Sequence, residues 1–167
     1  MGHAQHDGLT ALLPRLYAFA RTMLGNADAA RDLVQEAATR ALAARRVPSD
    51  APAYRAWMFR IVRNAALDEL RRKQQPVPDD FAGIDLWGFD DARIAKITVE
   101  QGLAVLPPTH REIISLIDIA GFSYGEAAEL LNVPVGTIMS RIARARNALL
   151  AVIESSSIRP LKSSHGY

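Results

Sequence analysis

The chain has 167 residues, 49% of them hydrophobic and 23% charged, with a net charge of +2 and no cysteine. That balance suits an ordinary globular protein of one medium or two small domains, and it excludes disulfides and thiolate metal centres. No apolar run is long enough for a membrane span, the first seven residues lack the apolar core of a secretory signal, and the four scattered histidines suggest no metal site, so a cytoplasmic protein with no cofactor and no membrane partner is expected.

The first predicted helix runs from about Gly8 to Leu24, with Leu12, Leu16, Phe19, Ala20 and Met23 at helical spacing and Gly25-Asn26 as its stop. A second covers Ala27 to Ala44, its apolar stripe formed by Ala30, Leu33, Val34, Ala37, Ala41 and Leu42. Arg45 to Pro52 reads as a loop, because Pro48 and Pro52 frame Ser49-Asp50. The third helix, Ala53 to Lys73, carries Met58, Ile61, Val62 and Ala65 on one side and Arg60, Asn64, Leu67 and Arg71 on another. From Arg55 to Lys73 six basic residues face two acidic ones. Asp79 to Glu100 reverses that balance, with six acids against Arg93 and Lys96. Pro76, Pro78, Gly83 and Gly88 mark Gln74 to about Asp91 as a linker with little regular structure, and its cluster of Phe81, Ile84, Leu86, Trp87 and Phe89 is expected to pack on the chain's own domains.

The second half is punctuated more sharply. Pro107-Pro108 precede Thr109-His110-Arg111-Glu112, a capping-box pattern for a helix ending near Gly121. Ser123-Tyr124-Gly125-Glu126 is a second capping box, opening a short helix through Leu131. Asn132-Val133-Pro134 makes a turn, with Asn132 suited to a left-handed helix end. The last helix is expected from Val135 to about Ile153, followed by a polar, frayed tail over 155–167.

Two helices joined by so short a turn match the helix-turn-helix unit that reads duplex DNA. On the longer one Ile138, Ile142, Ala145 and Leu149 point inward, which gathers Thr137, Ser140, Arg141 and Arg144 on the opposite face. Two hydroxyls and two guanidiniums, with no acid among them, can donate to phosphates and to guanine edges in a major groove. Gly136 leaves room for a DNA backbone to approach the amides of the helix N-terminus.

These residues resemble a known family. Gly121-Phe122-Ser123-Tyr124-Gly125-Glu126-Ala127-Ala128-Glu129-Leu130-Leu131, followed by Val135-Gly136-Thr137-Ile138-Met139-Ser140-Arg141-Ile142-Ala143-Arg144-Ala145-Arg146, is similar to region 4 of an extracytoplasmic-function (group IV) sigma factor. Asp32-Leu33-Val34-Gln35-Glu36 and Trp57-Met58-Phe59-Arg60-Ile61-Val62-Arg63-Asn64 resemble region 2. Gly121 to Ala128 and Leu13 to Gln35 further resemble the alphaproteobacterial general-stress branch.

The resemblance implies an all-α protein of two small domains: a three-helix region 2 over 8–74, an acidic linker over 75–96 and a helix-turn-helix region 4 over 97–154. It implies a factor that binds RNA polymerase core, directs it to promoters in response to stress, and is held in check by an anti-sigma factor. Gly136, Thr137, Ser140, Arg141 and Arg144 would meet the −35 element. Ser49, Asp50, Arg60, Arg63, Asn64 and Arg71 would handle the −10 element, where an unstacked base can sit in a loop pocket while arginines track the backbone. Asp32, Leu33, Gln35 and Glu36 would bind the coiled coil of the polymerase's largest subunit, and Asp28, Asp32 and Glu36 recur along one acidic edge. Trp57 is expected in the core rather than as a stacking platform.

Met139 and Ala143 depart from the family pattern beside the reading face, where a basic and a bulkier residue are common. Region 3 is absent. The acidic linker would mimic nucleic acid in a basic channel of the polymerase, so reversing Asp79, Asp80, Asp85, Asp90 and Asp91 should impair initiation while sparing duplex binding. Two alternatives stand beside the sigma reading: an ordinary helix-turn-helix regulator acting without polymerase, and a sigma-like decoy that occupies an anti-sigma protein. An enzyme is the weakest reading, since no carboxylate pair, nucleophile triad or phosphate loop has chemically meaningful spacing and no catalytic residue stands out.

Overall fold

The computed structural model describes residues 2–73 and 99–157, and among these every regular element is a helix. Helices α1 (Gly2–Leu24), α2 (Ala27–Ala43) and α3 (Ala51–Lys73) form the first bundle. The second contains α4, whose described part spans 99–105, then α5 (Pro108–Ile114), a π-helical turn (Ser115–Ile119), α6 (Tyr124–Leu131) and α7 (Val135–Ser157). The expected connector over 75–96 lies outside the described residues, as does all of the tail after Ser157.

Local chemistry sets the helix ends. Gly25 takes a φ of +69°, its amide donates to the Arg21 carbonyl at 2.8 Å, and Asn26 caps α2 by accepting from the Ala29 amide at 2.9 Å. Two starts differ from the sequence expectation. Helix α1 begins at Gly2 instead of Gly8, in a stretch with no apolar periodicity to mark it. Helix α3 begins at Ala51, two residues early, because the Asp50 carboxylate caps it by accepting from the Ala53 amide at 3.0 Å, which leaves Pro52 in a first turn that tolerates proline. At the other end of the chain α7 continues to Ser157, past the expected stop near Ile153.

The Thr109–Glu112 capping box does not form. Pro107 occupies the cap position of α5 with no side-chain bond, so Thr109 already lies inside the first turn and Glu112 turns elsewhere. A widened turn then carries the chain to Gly121, whose φ of +73° ends it while the Phe122 amide donates back to the Leu116 carbonyl at 3.0 Å. A β-carbon on Gly121 would meet nothing within 4 Å, so Gly121→Ala strains only the backbone. That substitution is expected to cost about 1–2 kcal/mol of stability in denaturant unfolding, and an unchanged midpoint would contradict this account of the turn.

Leu16, Phe19, Met23, Met58, Phe59 and Val62 fill the first bundle and are fully buried. Ile113, Leu116, Ile138, Ile142 and Ala145 do the same in the second. The two interiors meet where Phe122 sets its ring edge-on to Phe59, centroids 4.9 Å apart, while Phe59 also meets Phe19 at 5.6 Å. Trp57 is half-buried and tilted against Tyr54 at 5.7 Å, packing against the core from its edge rather than lying within it as expected.

Candidate nucleic-acid interface

The turn between α6 and α7 forms as its sequence dictates. Ser123 Oγ accepts from the Glu126 amide at 3.1 Å, and Glu126 Oε2 accepts in return from the Ser123 amide at 2.8 Å. Those bonds, the backbone one first, hold the Glu126 carboxyl below its ordinary pKa, with Arg55 adding to the effect. Asn132 then adopts φ 53° and ψ 51°, ending α6, and Pro134 starts α7 by accepting from the Thr137 and Ile138 amides at 2.9 and 3.3 Å.

Ile138, Ile142 and Ala145 anchor α7 inward with at most 1% exposure, so its register about the core is fixed. Ser140, Arg141 and Arg144 are consequently exposed together, with Thr137 half-buried beside them. Neither Arg141 nor Arg144 pairs with an acid among the described residues, and both guanidiniums are available to a polyanion. Met139, on the same helix, is 53% exposed and offers a flexible apolar contact at a position expected to be basic in the family.

Arg146, on the same helix, is used differently. Its Nη2 and Nε donate to the two Asp118 oxygens at 2.6 and 3.2 Å, and these bonds push its pKa up, with Tyr124 contributing. The fork ties α7 to the π-helical turn and so positions the reading face without belonging to it. Spacing gave no sign of this role, because the partner lies 28 residues away.

Gly136 is exposed, and a β-carbon there would meet nothing within 4 Å. Nothing among the described residues therefore calls for a glycine at this position.

The first bundle presents two further surfaces. Along α3, Arg60, Asn64 and Arg71 share an exposed face, Arg71 also meeting Asp68 at 3.1 Å. Arg63 does not join them: it is half-buried and paired with Glu112 of α5. Beside the α3 start lies a mostly apolar cavity of about 800 Å³, lined by Leu12, Val47, Pro48, Ser49, Asp50 and Tyr54, with Glu126 at its wall. Its volume is in the range of sites that hold a small organic ligand. On α2, Asp32, Gln35 and Glu36 are exposed on one face, whereas Leu33 turns inward at 9% exposure and serves the core. Asp28 and Glu36 pair with Arg31 and Arg40 on their own helix, so the edge is less acidic than its carboxylates alone suggest.

Comparison with known proteins agrees with both halves. Residues 9–75 match the family model for sigma-70 region 2, and residues 97–149 match that for sigma-70 region 4. The chain is 38% identical over 153 residues to the ECF RNA polymerase sigma factor EcfG of Rhodopseudomonas palustris, covering 88% of this chain and 83% of that protein. It is 30% identical to SigW of Bacillus subtilis, also an ECF RNA polymerase sigma factor, over 81% of each. Among solved structures it resembles the sigma factor RpoE of Bartonella quintana, determined in complex with the anti-sigma factor NepR, with a TM-score of 0.70 and 31% identity over 89% of this chain and 96% of that one. CnrH, in complex with the cytosolic domain of CnrY, gives a TM-score of 0.70 at 28% identity over 93% and 90%.

Proposed function

The chain belongs to the extracytoplasmic-function sigma factors of RNA polymerase, and from that premise we propose how its surfaces divide the work of promoter recognition. The observation that carries the reading is the exposed face of Ser140, Arg141 and Arg144, with neither arginine paired to an acid among the described residues, on a helix whose register the core fixes. With Thr137 and the amides beside Gly136, this face reads the −35 duplex in the major groove. Arg60, Asn64 and Arg71 track the −10 strand, and the cavity beside Ser49 and Asp50 takes one unstacked base. Asp32, Gln35 and Glu36 meet a basic helix of polymerase core.

No helix among the described residues is long and apolar enough to cross a membrane. An anti-sigma factor is the regulatory partner this reading assigns, since RpoE of Bartonella quintana was determined with one. We place the chain in the alphaproteobacterial general-stress branch that Gly121 to Ala128 and Leu13 to Gln35 resemble.

Run-off transcription with purified core and a promoter library tests the proposal. Core plus this protein is expected to give transcripts from a defined promoter class, and no promoter-dependent transcript would overturn it. A finer test uses Gly136→Ala. Because its β-carbon meets open space and alanine is the better helix former, the variant should keep or gain up to about 1 kcal/mol of stability while losing promoter affinity. Unchanged affinity would remove Gly136 from the interface.

A further inference from the structure

Helix α7 exposes apolar side chains as well as polar ones. Val135 and Met139 are left 45% and 53% exposed, and Ala143 is exposed one turn farther along. The three recur at intervals of four residues, so they run as one strip along the helix. At about 100° per residue, Met139 and Arg141 fall on opposite flanks of the exposed face, with Ala143, Ser140 and Arg144 between them. The strip is therefore continuous with the polar reading face and lies on its other edge. A lone exposed apolar residue needs no explanation, but here two large ones occupy the first five positions of the helix. Those are the positions from which a recognition helix reaches base edges.

The charges around the strip do not invite a phosphate. Glu129 shares the shallow hollow at the α6–α7 turn with Val135, and Arg146, next along this flank, is committed to Asp118 through two of its nitrogens. What fits is an uncharged, apolar group. Of the four bases only thymine adds one in the major groove, its 5-methyl, while the others present donors and acceptors that a thioether, a valine and an alanine cannot match. Covering such an edge without a partner is unfavourable, so the strip discriminates as well as attracts. The unbranched thioether of Met139 can adjust to reach the methyl group.

We propose that Met139, flanked by Val135 and Ala143, is a specificity-determining residue that reads the 5-methyl group of a thymine in the −35 element. The contact is separate from the hydrogen bonds made by Ser140, Arg141 and Arg144. It rests on the reading of α7 as the helix that enters the −35 major groove.

The test uses core polymerase with the full chain on a promoter from the run-off library. Each −35 thymine, on either strand, is replaced in turn by deoxyuridine, which keeps the base pair and removes only the methyl group. At one thymine, or two adjacent ones, the parent is expected to lose about three- to fivefold in affinity, the worth of one buried methyl. Met139→Ala should bind the thymine promoter more weakly by a similar factor and show no further loss on deoxyuridine. Met139→Leu, which keeps the apolar bulk, should keep the sensitivity. Arg141→Ala should weaken binding and stay fully sensitive, which separates the two edges of the face. If no −35 thymine is sensitive in the parent, if Met139→Ala is as sensitive as the parent, or if Met139→Leu loses the sensitivity, the proposal is overturned and the sigma reading stands. If core and chain together show no promoter binding at all, the sigma reading falls and this contact falls with it.

Discussion

Replacing Arg141 and Arg144 together by alanine is expected to lower promoter-dependent transcription by about two to three orders of magnitude while leaving the fold intact. Each arginine that meets a guanine edge or a phosphate is worth about 1–3 kcal/mol, and a tenfold change corresponds to about 1.4 kcal/mol. Stability should hold because both side chains are exposed and neither is paired among the described residues, so the change belongs with surface substitutions of within about 0.5 kcal/mol. Run-off yield against protein concentration gives the first number and thermal unfolding the second. If the residues contact phosphates, the slope of log affinity against log salt should also fall by roughly one per arginine. Full transcription by the double variant would take the reading face off this helix.

Phe59→Ala should have the largest effect on stability. The ring is fully buried and meets Phe19 edge-on within its own bundle and Phe122 edge-on across the junction. Truncating such a phenylalanine costs about 3–5 kcal/mol, a large part of the roughly 5–15 kcal/mol that a native protein has. For a chain of this size the melting temperature should fall by about 10 °C. Because the ring is shared, both halves should loosen together in hydrogen exchange. A drop of only a degree or two, or loosening confined to region 2, would show that Phe59 does not join the two interiors.

What the sequence revealed follows the range of the interactions that decide each feature. The Ser123–Glu126 box, the left-handed Asn132 and the inward row of Ile138, Ile142 and Ala145 are set within a turn or two, and each appears as read. The Thr109–Glu112 pattern looked just as local, yet Pro107 took the cap and Glu112 went to Arg63, 49 residues away. Asp50 is the reverse case: placed in a loop by Pro48 and Pro52, it proved to start α3. The widened turn at Ser115–Ile119 and the Arg146–Asp118 fork have no periodic signature. The docking of the two halves was illegible for the same reason, since each half contributes single residues that look like ordinary core or surface positions in their own helices.

Reading a −35 duplex is something an ordinary regulator can also do; melting the −10 element with polymerase is not. The most direct measurement is permanganate reactivity of −10 thymines on a promoter from the run-off library, with core alone, this protein alone, and both. The account predicts reactive, unpaired thymines only when core and protein are present together, and their loss when Asn64 and Arg60 are replaced by alanine. Protection of the −35 duplex without any reactive thymine in the combined sample would contradict it.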